Sequence, residues 1–293
     1  MSATFDYGIA FSRNLGWVTP DEQRVLEGKR VAIAGLGGVG GHHLLTLARL
    51  GVGKFTLADP DTFDLANFNR QAGATVSALG RSKLDVMIEM ARDVNPSLEL
   101  RTFREGVHDG NVDEFLADAD VFVDGLDFFA FAARDLVFGA CAARRIPATT
   151  VAPLGMGAAL LNFVPGGMSF ADYFGLRDCP ESEKPIRFLL GLAPAMLHRR
   201  YLADMSYIDL NAGRGPSTAM ACQLCAGIAA TEATKMMLKR GRVVAAPYGI
   251  QYDAYRNRMV RTWRPGGYRN PLQRLVRRIA GRELARQKHV ARP

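Results

Sequence analysis

Apolar runs of strand length alternate with helically spaced stretches through the first half of the chain. Val31-Ala32-Ile33-Ala34, Phe55-Thr56-Leu57-Ala58 and Asp120–Asp124 read as buried strands, Leu98–Phe103 alternates like a strand, and Pro147–Val151 is a further short one. Between them lie helical patterns. One follows the glycines at 35–41, and one runs Ser77–Val94 on Leu79, Val86, Met87, Met90 and Val94 until Asn95-Pro96 stops it. Val112–Ala117 is a short helix, and Ala130–Arg145 a longer one rich in alanine. Strands and helices in strict alternation predict a parallel sheet wrapped by helices on both faces.

After Val151 the pattern changes. Gly157–Val164 is strand-like and Pro165-Gly166-Gly167 is a turn. Residues 168–216 form a long crossover segment with helical pieces near Ile186–Leu190 and Ala195–Met205. Ser217–Lys239 reads as one strong helix, with Ser217 as N-cap and Gly241 past its end. Gly249–Trp263 alternates as a strand or hairpin, and residues 271–288 form a basic amphipathic helix with an apolar stripe at Leu272, Leu275, Val276 and Ile279. The predicted architecture is α/β: a doubly wound, Rossmann-like, mostly parallel sheet with an elaborated C-terminal half. An N-terminal arm (1–29), with a helix starting at Pro20, precedes the nucleotide-binding region (30–165). Residues 166–268 complete the same domain, and 269–293 are a basic tail.

Composition adjusts this picture in two places. The chain is 48% hydrophobic over 293 residues, enough for a sizeable core, so wholesale disorder is excluded. The net charge of +8 is concentrated at one end: residues 256–293 hold 11 Arg, one Lys and a single acid, and the rest is slightly acidic. Nucleic-acid, acidic-partner or anionic-membrane readings therefore apply to the tail alone, against the plainer reading of a helix docked on the body. No apolar run approaches the roughly 18 residues of a membrane span, and the N-terminus does not read as a signal peptide, so a cytoplasmic protein is the default expectation.

The chemistry starts at the first strand. It ends in Gly35, Gly37, Gly38 and Gly40, a helix follows, and a second strand ends at Asp59, 19 residues after Gly40. Glycine permits the sharp turn and close backbone approach to a phosphate, the helix N-terminus presents free N–H groups, and the acid can take ribose hydroxyls. On this stretch alone the ligand is NAD, FAD or ATP. The residues beyond choose among them: Asp59-Pro60-Asp61, then Asn67-Phe68-Asn69-Arg70-Gln71, then Lys83, then Asp127 after the strand ending at Asp124. A cation cluster with a free acid suits a triphosphate, which a dehydrogenase does not need.

This pattern resembles the ThiF/MoeB/HesA family of adenylating enzymes related to ubiquitin E1, closely over about residues 10–165 and more loosely over the Ser217–Lys239 helix. The resemblance implies Asp59 as ribose ligand, with Asp61 assisting, and Asn67, Arg70 and Lys83 as the phosphate grip beside Gln71. It implies Asp127 as the Mg²⁺ ligand and Arg13 as an arginine that reaches across a homodimer to the neighbour's γ-phosphate. The implied cofactors are ATP and Mg²⁺. The implied reaction is attack of a carboxylate on the α-phosphorus of ATP, giving an acyl-adenylate and pyrophosphate. The acceptor would be the C-terminal glycine of a ubiquitin-like or sulfur-carrier protein, or a peptide or small-molecule carboxylate. His42 and His43 read as helix-start residues near the site.

Family members often carry a structural zinc held by two Cys-x-x-Cys pairs. Here Cys222-x-x-Cys225 stands alone on a continuous helix, and Ser169 and Asp172 occupy the region of the other pair, so no structural zinc is expected. Cys179, in the crossover segment, is a candidate sulfur-handling or thioester cysteine by region only, and Cys141 reads as core. Two rivals stay open: an NAD- or FAD-dependent oxidoreductase, and a catalytically silent nucleotide-bound scaffold that recruits a partner through its tail.

Overall fold

The computed structural model describes residues 4–210 and 212–275. The helices are α1 (Tyr7–Ala10), α2 (Pro20–Gly28), α3 (Gly40–Arg49), α4 (Lys83–Val94), α5 (Val112–Phe115), α6 (Phe131–Ala143), α7 (Phe170–Phe174), α8 (Lys184–Leu192) and α9 (Ala219–Leu238). The strands are β1 (Arg30–Ala34), β2 (Lys54–Ala58), β3 (Glu99–Phe103), β4 (Val121–Asp124), β5 (Ala148–Leu154), β6 (Gly157–Phe163), β7 (Tyr248–Asp253) and β8 (Arg258–Trp263). They form one eight-stranded sheet in the order β3-β2-β1-β4-β5-β6-β7-β8. The first five strands pair in parallel, and β6, β7 and β8 join antiparallel.

Strand alternation sorts the core into two layers. Val31 and Ile33 of β1 face α3, α4 and α9, together with Phe55, Leu57, Leu44, Leu47 and Met87. Ala32 and Ala34 face the other way, where Phe115, Phe122, Phe138, Phe163, Phe170, Phe174 and Phe188 pack around α5 to α8, mostly edge-to-face or tilted, with Phe138 stacked on Phe170. The crossovers after β1 and β2 thus lie on one face, and those after β3 and β4 on the other. Strand order reverses between β1 and β4, and ligands of such sheets bind at that switch point, beyond the carboxyl ends of the strands.

Several sequence expectations are corrected. The helix expected from Ser77 begins only at Lys83: Val76–Ala78 is a 3₁₀ turn, Gly80 at φ +75° breaks the path, and Ser82 caps α4 through the Asp85 N–H. The N-cap of α9 is Thr218, not Ser217. Its hydroxyl donates to Gly155 O at 2.8 Å instead of capping; Lys239 takes the left-handed C-cap position, and Gly241, at φ +84°, lies past the helix end as expected. Residues 195–205 contain a 3₁₀ turn at Leu197–Tyr201 and no α-helix. The expected tail helix lies largely outside the described residues; within them, Leu272 and Leu275 are exposed.

The N-terminal arm docks on the C-terminal end of α3. Tyr7 Oη donates to Gly51 O at 2.6 Å, and Asn14 Nδ2 and Gln23 Nε2 both donate to Leu50 O, at 3.0 and 2.9 Å. Thr19 caps α2 in a capping box with Glu22, and Pro20 stands at its first position.

Candidate active site

Three glycines make the turn at the switch point. Gly35 has φ +83°, and a Cβ there would lie 2.3 Å from Gly125 O. A Cβ on Gly40 would lie 1.8 Å from Gly35 O. The end of β1, the start of α3 and the end of β4 therefore touch backbone to backbone. Gly125 was not legible in the sequence, because its partner is 90 residues away.

Three side chains lie against Gly37 and Gly38 at ordinary contact distance. A Cβ at Gly37 would be 3.5 Å from Gln71 Nε2, and one at Gly38 would be 3.8 Å from Arg70 Nε and 3.6 Å from Cys222 Sγ. The Asn67–Gln71 turn thus sits directly beside the glycine loop. Asn67 Oδ1 accepts from Asp64 N at 3.0 Å, and Asn67 O accepts from the amides of Arg70 and Gln71. Arg70 Nη1 donates to Ala66 O at 2.8 Å and to Asn69 Oδ1 at 2.9 Å, which fixes one edge of the guanidinium against its own turn. His42, in the first turn of α3, bonds Arg70 O through Nε2 at 3.1 Å. Asn69 Nδ2 donates to Ser217 O at 2.9 Å, tying the turn to the start of α9. Gln71 Oε1 is buried with no hydrogen-bond partner among the described residues.

At the end of β2, Asp59 is buried. Its Oδ2 accepts from Leu36 N at 2.6 Å and its Oδ1 from Asp61 N at 2.9 Å. Burial raises its pKa, and those two amides together with the Lys83 charge oppose the rise. Lys83, the first residue of α4, pairs with Asp61 at 2.9 Å, and its own amide donates to Asp61 O at 2.9 Å.

Asp127 lies past the end of β4, two residues beyond Gly125. It is exposed, and its Oδ1 accepts from Phe129 N at 2.9 Å, so it forms a local turn instead of capping α6. The loop is held from beneath by a pair that sequence reasoning missed. Arg134 and Asp124 are both buried and meet at 2.8 Å. Arg134 Nη2 also donates to Leu126 O at 2.7 Å and Asp127 O at 2.9 Å. A lone arginine inside an alanine-rich helix, ten residues after a strand-end acid, was the available signal.

Two expected residues stand apart from this cluster. Arg13 is exposed on the arm at the far end of α3, whose ten residues put roughly 15 Å between its termini. Cys179 is buried in the crossover segment with Sγ donating to Leu176 O at 3.5 Å, while the neighbouring Arg177 is engaged by Asp135 of α6. Cys222 and Cys225 are buried in α9, and burial raises both thiol pKa values. No group of three or more His, Cys, Asp or Glu side chains with metal-holding geometry occurs among the described residues.

A model of the ThiF family matches residues 11–275. The chain belongs to the ThiF family. Among curated relatives of this ThiF-family protein, the sulfur carrier protein ThiS adenylyltransferase of Escherichia coli (strain K12) is 33% identical over 145 residues, which is 50% of this chain and 57% of that protein. The tRNA threonylcarbamoyladenosine dehydratase of Bacillus subtilis (strain 168) is 40% identical over 90 residues, 31% of this chain and 35% of that one. The chain spans about half, or less, of the length of these curated relatives. Among solved structures, Escherichia coli MccB with ATP superposes with a TM-score of 0.67 at 20% identity, over 89% of this chain and 72% of that one. Escherichia coli TcdA superposes with a TM-score of 0.58 at 20% identity, over 79% and 95%. These structural likenesses establish the shared ThiF-family fold. No helix among the described residues is long and apolar enough to cross a membrane.

Proposed function

We propose that this chain adenylates a carboxylate at the expense of ATP. The observation that carries the reading is the packing of Arg70 and Gln71 alongside Gly38 and Gly37, with Asp59 and the Lys83–Asp61 pair on the neighbouring strand end. A backbone cradle with a planar fork beside it, and a point charge at the next strand end, are the donor types a polyphosphate requires. In this reading Asp59 takes the ribose, and Asn67, Arg70 and Lys83 hold the phosphates. An acceptor carboxylate oxygen attacks the α-phosphorus, the bond to the β-phosphate bridging oxygen breaks, and pyrophosphate leaves. The cations offset charge growing on the phosphate oxygens, and the rigid glycine turn fixes attacker and leaving group in line. The protein supplies no nucleophile for this half-reaction.

Asp127 suits Mg²⁺ as its single carboxylate, because this ion is commonly held by one or two carboxylates plus substrate phosphates. Bound there with the nucleotide, the ion would neutralise phosphate charge. The arm supports a homodimeric reading: Ile9, Leu15 and Trp17 are exposed beside Arg13, a surface a second copy would cover, from which Arg13 would serve the partner's site. The acceptor belongs to the class of carrier-protein or peptide C-termini, or a small carboxylate, and Cys179 is the residue to test for a covalent second step.

The deciding experiment is ATP–pyrophosphate exchange, screened against pools of small carboxylates, peptides and carrier proteins. Exchange above background that disappears in Asp127→Ala is expected. Tight ATP binding with background exchange in every pool would leave the silent-scaffold reading standing, and a bound dinucleotide visible by absorbance would favour the oxidoreductase.

A further inference from the structure

Four arginines are buried among the described residues: Arg30, Arg134, Arg187 and Arg264. Three have partners. Arg30 meets Glu99, Arg134 meets Asp124 at 2.8 Å, and Arg187 donates to Gly175 O at 2.6 Å with Glu183 3.7 Å away. Arg264 is 8% exposed, and its guanidinium makes no hydrogen bond or ion pair with any described residue. A buried charge is ordinarily paired, since desolvation penalises it strongly otherwise. Burial accordingly lowers the Arg264 pKa, opposed only by the neighbouring Tyr173, whose own hydroxyl is spent on Gly191 O at 3.0 Å.

Arg264 lines an open cleft of about 380 Å³ just beyond the end of β8. The other walls include Pro194, Trp263, Pro265, Asn270 and Leu272, with no acid among the lining residues. Trp263 and Leu272 are 61% and 63% exposed, so the cleft presents an aromatic face and an aliphatic face around one cationic fork. It is separate from the nucleotide site. Trp263 pairs with Tyr248 at the start of β7, whereas the strand ends that carry the site lie on the side of Asp253 and Gly157.

We infer that the Arg264 cleft is a second binding site, for an organic carboxylate with an apolar body. The carboxylate supplies the bidentate partner Arg264 lacks, and the body lies between Trp263, Leu272 and the prolines. This inference does not depend on the adenylation reading.

The chain has two tryptophans, and Trp17 stands on the N-terminal arm, so Trp17→Phe in the whole 293-residue chain leaves Trp263 as its sole indole reporter. Octanoate should change Trp263 emission saturably at millimolar concentration, while octanol and inorganic phosphate should not. Arg264→Met should weaken octanoate binding by about tenfold or more. If that variant fails to fold, Leu272→Glu at the exposed wall should weaken it by about tenfold through like-charge repulsion. Equal responses to octanol and octanoate, a response to phosphate alone, octanoate affinity unchanged in a folded Arg264→Met or in Leu272→Glu, or no saturable response at all would each overturn the assignment.

Discussion

Lys83 Nζ lies 2.9 Å from Asp61 Oδ2, with the lysine side chain 8% exposed and the aspartate 64% exposed. The ammonium is thus held by a carboxylate that solvent largely screens. Lys83→Met keeps most of the packing and removes the charge. Stability should fall by less than about 1 kcal/mol, because a pair with one exposed partner contributes little. On the proposed reading, in which Lys83 holds a phosphate, ATP affinity should fall about tenfold or more, as a charge-assisted bond is lost. Calorimetric titration and a thermal melt of the same variant separate the two effects. A large drop in melting temperature with unchanged affinity would make Lys83 a structural residue.

The glycine turn predicts a graded series. Gly40→Ala would set a Cβ 1.8 Å from Gly35 O, and Gly125→Ala one 2.2 Å from the same oxygen, both against backbone that cannot move independently. Each should cost about 3 kcal/mol or prevent folding, measured by urea denaturation. Gly38→Ala meets only ordinary contacts at 3.6 and 3.8 Å and should fold, with its effect confined to nucleotide binding. Equal stability losses at all three positions would contradict this division.

Arg134→Met should cost about 3–5 kcal/mol, because it strands the buried Asp124 carboxylate without its partner. It also removes the donor to Leu126 O and Asp127 O, so the loop that carries Asp127 should loosen. Faster amide exchange over 125–129, observed below the unfolding transition, is the expected signature. Protection equal to that of the parent protein would show that Arg134 does not hold the loop.

His43 gives a pH dependence of definite sign. Its ring is fully buried and burial pushes its pKa down to about 3, from an ordinary 6.5. The unfolded chain therefore takes up the proton first. The stability contribution is complete above about pH 6.5 and is lost as pH falls toward 3. Between pH 7 and pH 5 the loss should be about 2 kcal/mol. Unfolding of the parent and His43→Leu at both values checks it: the parent should lose about that much more than the variant, and matching pH slopes would exclude His43 as the source.

How much of this was readable in the chain depends on the distance over which each feature acts. The strands were legible because continuous apolar runs such as Val31–Ala34 have few other uses. The glycine turn, Asp59 and the Asn67–Lys83 stretch were legible as a motif because local spacing defines them. Helix starts were less so: Gly80 and Ser82 interrupt a periodicity that looks unbroken from Ser77. Gly125, the Asp124–Arg134 pair and an Arg264 with no partner among the described residues were invisible for a different reason. Each gains its meaning from contacts across the sheet or from a partner that is missing, and neither leaves a periodic trace.

The docking of the arm bears on how the role of Arg13 can be tested. Tyr7, Asn14 and Gln23 occupy the Leu50 and Gly51 carbonyls, which would otherwise be unsatisfied acceptors where α3 ends. Deleting the first fifteen or so residues would remove Tyr7 and Asn14, leaving Gly51 O without its donor and Leu50 O with Gln23 alone, on the helix whose other end forms the glycine turn. A truncated protein that loses activity would then report a frayed helix as readily as a missing cation. Only a point change such as Arg13→Met, complemented by mixing with a subunit disabled elsewhere, isolates the arginine.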